Sequence, residues 1–191
     1  MNQIYKIVIV LVFSFFWGCD IFNSPSKPNE QEMNLLVTRI DLEENGFRLI
    51  QESNLKESIY KQKWSDMDQV VYSLYSESLD TNSFSMFSEA TRFDSWLSMK
   101  EQIYFNFLFS FLMDLIGGIE KQQVNEFDCN SIECKCEILL SKGEQVGVRM
   151  NYFFIDRIYS FQLNGQKPPE LNVLQSLLSK RIELFKTYEF K

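Results

Sequence analysis

The sequence predicts an α+β fold in which N-terminal helices pack on a three-stranded antiparallel β-meander and a C-terminal helix closes the chain. Three observations predict this class. Apolar residues recur at helical spacing before Asn125, the period changes to two after it, and a helical stripe returns after Pro169. The chain has 191 residues, of which 45% are apolar and 24% charged, so it can form a single domain with its own core.

Two helices are predicted in the first part of this domain. Apolar positions between 33 and 55 fit helical spacing. Ser65 is a good N-cap for the second helix, and Asp66 and Asp68 then occupy a first turn that favours negative charge. The apolar residues that follow Ser65 fit one helical face.

A third helix is predicted from Ser98 to Ile116, because Ser98 and Glu101 have the spacing of a capping box. Its apolar residues are spread around nearly the whole circumference of the helix, so we expect a buried central helix. Membrane insertion is the alternative, but the apolar run is shorter than the roughly 18 residues that indicate a membrane span. Asp114 lies either in water at the rim or in a pocket that raises its pKa.

Past Asn125, apolar and polar residues alternate in three short runs joined by turns, which predicts three antiparallel strands. The runs are Cys134 to Leu140, Val146 to Phe154 and Tyr159 to Leu163. A last helix follows, with its apolar stripe between Leu171 and Phe185.

The N-terminus has the composition of an export signal. One cation, Lys6, precedes an uncharged run over 7–17, and Gly18 and Cys19 follow. An apolar run of about 11 residues suits a secretory signal and is too short to cross a bilayer as a helix.

A small residue directly before a cysteine, as in Gly18–Cys19, resembles the lipobox of bacterial lipoproteins. The resemblance implies that Cys19 carries diacylglycerol and that residues 1–18 are removed. Phe16 and Trp17 stand where the family prefers a leucine and a small residue. An uncleaved N-terminal anchor and an ordinary secretory signal are the alternatives, and both also export the domain.

The predicted organisation is therefore a signal peptide over 1–18, a flexible polar tether over 19–32 and one globular domain over 33–191. This places the domain in the cell envelope, held by lipid on the exported side of a membrane. Asp20 resembles an inner-membrane retention signal of enterobacterial lipoproteins, but the choice between inner and outer membrane stays open.

Cys129, Cys134 and Cys136 form the one cluster of chemically reactive residues. Their spacing matches no standard zinc site, no C-x-x-C is present, and the chain has no histidine to complete a ligand set, so no metal is predicted. In an oxidising envelope a disulfide is expected. Cys134 and Cys136 share one strand face, so Cys129 pairs with one of them and the other stays free.

The composition excludes several classes of function. The absence of histidine excludes Ser-His-Asp and Cys-His catalysis, and a net charge of −7 without a basic cluster argues against nucleic-acid binding. No cofactor motif occurs. The prediction is an envelope lipoprotein with a non-catalytic binding domain, whose partners are the membrane and an unidentified protein.

Two alternatives stay open. The first is a binder of small apolar ligands, with a cavity between helix 102–116 and the meander. Residues 88–165 loosely resemble the nuclear-transport-factor-2-like fold, which implies such a cavity. The second is an enzyme that uses carboxylates or a thiolate.

Overall fold

The computed structural model describes residues 24–47, 55–76, 84–104, 108, 118–124, 133–165 and 171–190. Its strands are β1 (Leu55–Lys63), β2 (Met67–Ser76), β3 (Ser85–Phe93), β4 (Ile119–Gln123), β5 (Glu133–Ser141), β6 (Glu144–Phe153) and β7 (Arg157–Asn164). These seven strands form one antiparallel sheet in the spatial order β1-β2-β3-β7-β6-β5-β4. Two meanders, β1–β3 and β4–β7, therefore meet along β3 and β7 at the centre.

Helices occupy the connections and the end of the chain. They are α1 (Glu30–Met33), α2 (Arg39–Glu44), α3 (helical over 96–104) and α4 (Leu171–Thr187). Asn29 and Thr38 each form a capping box at the start of α1 and α2. Ser95 caps α3, because its hydroxyl oxygen accepts a hydrogen bond from the backbone N–H of Ser98 at 3.1 Å.

The predicted fold class is wrong, because the sheet has seven strands and the helices before it are short. The segment after Ser65 is strand β2. Val70, Tyr72 and Leu74 are buried on one face of β2, and Val71 is buried on the other. A strand covered on both faces carries a nearly continuous apolar run, which periodicity alone does not distinguish from a helix.

The helix predicted over 33–55 is wrong for a different reason. Helix α1 already ends at Met33, Thr38 caps a separate short helix α2, and Gly46 follows α2 with a φ of 82° that a side chain would strain. The chain then enters β1 at Leu55. Residues 88–165, which were expected to hold helices followed by a three-stranded meander, contribute most of β3 and all of β4–β7 to one seven-stranded sheet, so the likeness to the nuclear-transport-factor-2-like fold has no structural support.

The three strands predicted past Asn125 are present as β5, β6 and β7, and the last helix is present as α4. Lys142 and Gly143 both have positive φ in the two-residue turn between β5 and β6, as a type I′ hairpin requires. Gly147 lies against β7 so closely that a Cβ would stand 2.3 Å from the carbonyl oxygen of Leu163.

The sheet has one apolar face and one largely polar face. The apolar face packs against residues 35–47 and α4, which contributes Leu174, Leu178 and Phe185 to the core. The polar face carries hydrogen-bonded side chains such as Arg149, whose Nε donates to Gln162. An apolar cluster lies on this face at one end of the sheet, formed by Phe93, Met99, Ile158, Met67, Ile103 and Phe153.

Helix α3 begins at residue 96, so Ser98 lies inside it and is not its cap. In its described part Met99 is buried, whereas Trp96, Leu97 and Tyr104 are exposed, so this part is not the buried helix that was expected. Asp114 lies outside the described residues.

Candidate binding cleft

An open cleft of about 850 Å³ lies at one end of the sheet. At this end β1, β3 and β6 finish and β2, β5 and β7 begin, as their antiparallel registers require. We call it the cleft end. The cleft is lined by Trp96, Met99, Lys100, Ile103 and Tyr104 of α3, by Glu133 and Lys135 of β5, by residues 153–157 and by Lys186 of α4.

The floor of the cleft is the small apolar cluster on the polar face. Met99 is 5% exposed and fixes the start of α3 against Phe93 and Ile158. The end of β3 is also bonded to the turn between β6 and β7, because the N–H of Phe93 donates to the carbonyl of Asp156 at 2.8 Å. These contacts hold the two sides of the cleft together, so it belongs to the folded framework.

Three large apolar side chains stand at the edge of the cleft, and we call them the apolar rim. Trp96 is 54% exposed, Tyr104 75% and Ile155 84%. Ile155 lies in the tight turn that the N–H of Phe154 closes on the carbonyl of Arg157 at 2.9 Å. Turns favour small or polar residues, so an exposed isoleucine there is not explained by local structure. Neighbouring exposed apolar side chains are typical of an interaction surface.

Cations outnumber carboxylates in the lining, although the chain as a whole has a net charge of −7. Lys100 places its Nζ 3.6 Å from the centre of the Trp96 ring, which is a cation–π contact. Lys186 forms an ion pair with Glu183. Lys100 and Lys135 make no ion pair with another described residue.

Arg157 joins the cleft to the end of α4. It is 8% exposed, and its Nη1 donates hydrogen bonds to the backbone carbonyls of Phe185 at 2.8 Å and Tyr188 at 2.5 Å. Nη2 lies 3.5 Å from a carboxylate oxygen of Glu189, and Nε lies 3.4 Å from Asp156. A cation on the last carbonyls of a helix also interacts favourably with the helix dipole. Arg157 is thus part of the framework and is not free to bind.

The cysteine cluster named in the sequence analysis does not form a reactive site in the described part of the chain. Cys134 takes part in a disulfide, and no disulfide joins two described residues. Cys136 is a buried free thiol, and burial raises its pKa to about 11. A thiol with a raised pKa is a poor nucleophile at neutral pH. Cys19 and Cys129 lie outside the described residues, so the pairing of Cys129 and the lipidation of Cys19 stay predictions.

The described residues contain no group of acidic or cysteine side chains able to hold a metal ion. Within the same ranges, no helix has the length and apolar character needed to span a bilayer. No family model, curated protein or solved structure matches the chain.

Sequence reasoning did not identify the cleft residues, although it considered a cavity between the third helix and the meander. The available signal was Ile155 beside Phe153 and Phe154 at a predicted turn. A large apolar residue at a turn, directly after the strand that ends in Phe153 and Phe154, indicates a surface with a partner. Trp96 gave no such signal, because its exposure depends on where α3 begins.

Proposed function

We propose that this chain is a lipid-anchored envelope protein whose domain is a non-catalytic binding module, and that the cleft binds an amphiphile with an apolar body and a negative charge. The observation that carries the proposal is the composition of the cleft. Its apolar rim offers Trp96, Tyr104 and Ile155 to an apolar body, and Lys100 and Lys135 stand beside them to pair with an anion.

The proposed location in the cell envelope depends on the N-terminal pattern that ends in Gly18–Cys19. A disulfide at Cys134 fits the same location, since disulfides persist in oxidising compartments. The thiolate alternative has little support from Cys136, because its raised pKa keeps the thiol protonated.

Mass spectrometry of the full-length protein purified from its own host tests the lipid anchor and the removal of residues 1–18. We expect a chain that begins at an acylated Cys19 and lacks residues 1–18. The variant Cys19→Ala is the control and should keep its N-terminal segment and lose the acyl mass. An unmodified N-terminus in the unchanged protein would contradict the lipid anchor.

Fluorescence titration with anilinonaphthalene sulfonate, an apolar anion, tests the cleft. The variant Ile155→Asp places a negative charge in the apolar rim, and we expect roughly tenfold weaker binding, since lost apolar contact and repulsion together amount to 1–2 kcal/mol. The control is Ile40→Asp, because Ile40 is also exposed, at 65%, but lies on α2. Equal affinities in the two variants would refute binding in the cleft and favour an unidentified protein partner.

A further inference from the structure

The segment that leads from Cys19 into the domain is fixed to the sheet earlier than its polar composition suggests. Ser26 forms an antiparallel bridge with Lys61 of β1. The N–H of Ser26 donates to the carbonyl of Lys61 at 2.9 Å, and the N–H of Lys61 donates back at 2.8 Å. The side chain of Lys61 also pairs with buried Glu32 of α1 at 2.5 Å. The chain is therefore held to β1 from Ser26 onward.

This bridge fixes the direction of the residues just before Ser26 relative to strand β1. Strand β1 runs toward Lys63, which lies opposite Asp68 at the beginning of β2. Because the bridge is antiparallel, residues before Ser26 run the same way as β1, toward its end at Lys63. That end is the cleft end of the sheet. The described residues before Ser26, Ser24 and Pro25, are thus directed toward the side where the cleft opens.

The covalent chain limits how far away the anchor can be. Cys19 is seven residues from Ser26, so the two are at most about 25 Å apart. The sheet spacing of about 4.8 Å places β7 roughly 14 Å and β6 roughly 19 Å from β1. Ser26 lies one further strand spacing outside β1, so an acylated Cys19 is at most about 50 Å from β6, and the cleft stays within that distance of the bilayer.

We infer that the cleft end of the sheet lies against the phospholipid bilayer that holds Cys19, and that the apolar rim enters its interface. This inference depends on the proposed lipid anchor and names the amphiphile as lipid of that bilayer. Trp96 and Tyr104 are of the residue types enriched at membrane interfaces. Lys100 and Lys135 lie beside them, where a lysine can keep its ammonium at the headgroups while its stem lies on apolar surface.

Tryptophan quenching in vesicles tests this orientation. The protein purified with its own anchor is reconstituted into phosphatidylethanolamine–phosphatidylglycerol vesicles whose acyl chains are brominated. After loss of residues 1–18 the tryptophans are Trp64, in the β1–β2 turn, and Trp96, and both lie at the cleft end. We expect their emission to lose most of its intensity relative to unbrominated vesicles. In Trp64→Phe the remaining emission, from Trp96, should be quenched as well.

A probe at the opposite end of the sheet is the matched control. Tyr75 is exposed and lies near the far end of β2, so Tyr75→Trp in a background of Trp64→Phe and Trp96→Phe reports on that end. We expect this tryptophan to keep its emission. Equal quenching at both ends, or quenching at Tyr75→Trp alone, would overturn the orientation, and the unchanged protein provides the readout if a variant fails to fold.

The outcomes separate this inference from the proposed function. If the mass shows an acylated Cys19 and the cleft binds the free dye, but Trp96 is not quenched in vesicles, then the proposed function holds and the orientation is refuted. If the mass shows no acyl group, the anchor is refuted, and the orientation with it.

Discussion

Replacing Arg157 by methionine should release the end of α4 from the sheet. Methionine keeps much of the apolar stem but has no donor for the carbonyls of Phe185 and Tyr188. A hydrogen bond from a charged donor contributes about 1.5–3 kcal/mol. Phe185 is buried, so water does not readily replace the guanidinium at its carbonyl, which keeps only a long hydrogen bond of 3.4 Å from the N–H of Tyr188, whereas water can reach the half-buried Tyr188. We therefore expect a loss of about 2–4 kcal/mol in the free energy of unfolding.

Urea unfolding followed by circular dichroism measures this loss. With a slope of about 2 kcal/mol per molar urea, as is common for small domains, the midpoint should fall by about 1–2 M. The matched control is Arg39→Met, because Arg39 is about half exposed and pairs with Glu43 one helical turn away. Such a pair contributes about 0.5 kcal/mol or less, so its midpoint should barely move.

If Arg157→Met and Arg39→Met unfold at the same urea concentration, the two carbonyl bonds do not hold α4. The joint between the cleft and the final helix would then depend on apolar packing around Phe185, which lies under the Arg157 guanidinium at 5.8 Å.

Two further predictions concern buried groups. Ser88→Ala removes the hydroxyl that accepts a hydrogen bond from the N–H of Val37 and forms another with the hydroxyl of Tyr159, both at 3.0 Å. We expect it to lower the free energy of unfolding in urea by about 2–4 kcal/mol. The control Ser160→Ala, on the opposite face of the sheet, should lower it by less than about 0.5 kcal/mol. An equal effect of the two variants would contradict this network. Cys136 should react with iodoacetamide at pH 8 about 100-fold more slowly in the folded protein than after unfolding, because burial raises its pKa from 9.0 to about 11. The folded state keeps a proton that the unfolded chain loses, so its contribution to stability should decline from pH 9 to pH 11, and rapid labelling at pH 8 would refute the burial.

Strands β5–β7 could be predicted from the sequence, and strands β1–β4 could not. Strands β5–β7 have one polar and one apolar face, so their residues alternate visibly. In β2 the polar face is also covered, at Val71, and the alternation disappears. Strand β3 carries Ser88 and Thr91 inside the protein, so its buried positions do not look apolar. Which faces are covered depends on the tertiary fold, and a single sequence does not show it.

The same limit applies to the segment before α1, and here it has a functional consequence. The composition of 19–32 predicts a tether because the segment is mostly polar and carries Pro25 and Pro28. Yet Glu32 is buried, since it closes the capping box with Asn29 and pairs with Lys61, which also bridges Ser26 through its backbone. Polar partners therefore attach this segment to β1, and Pro28 is buried beside them. A free tether up to residue 32 would let the cleft face any direction relative to the proposed anchor, whereas attachment at Ser26 leaves only the seven residues from 19 to 25 between Cys19 and the sheet.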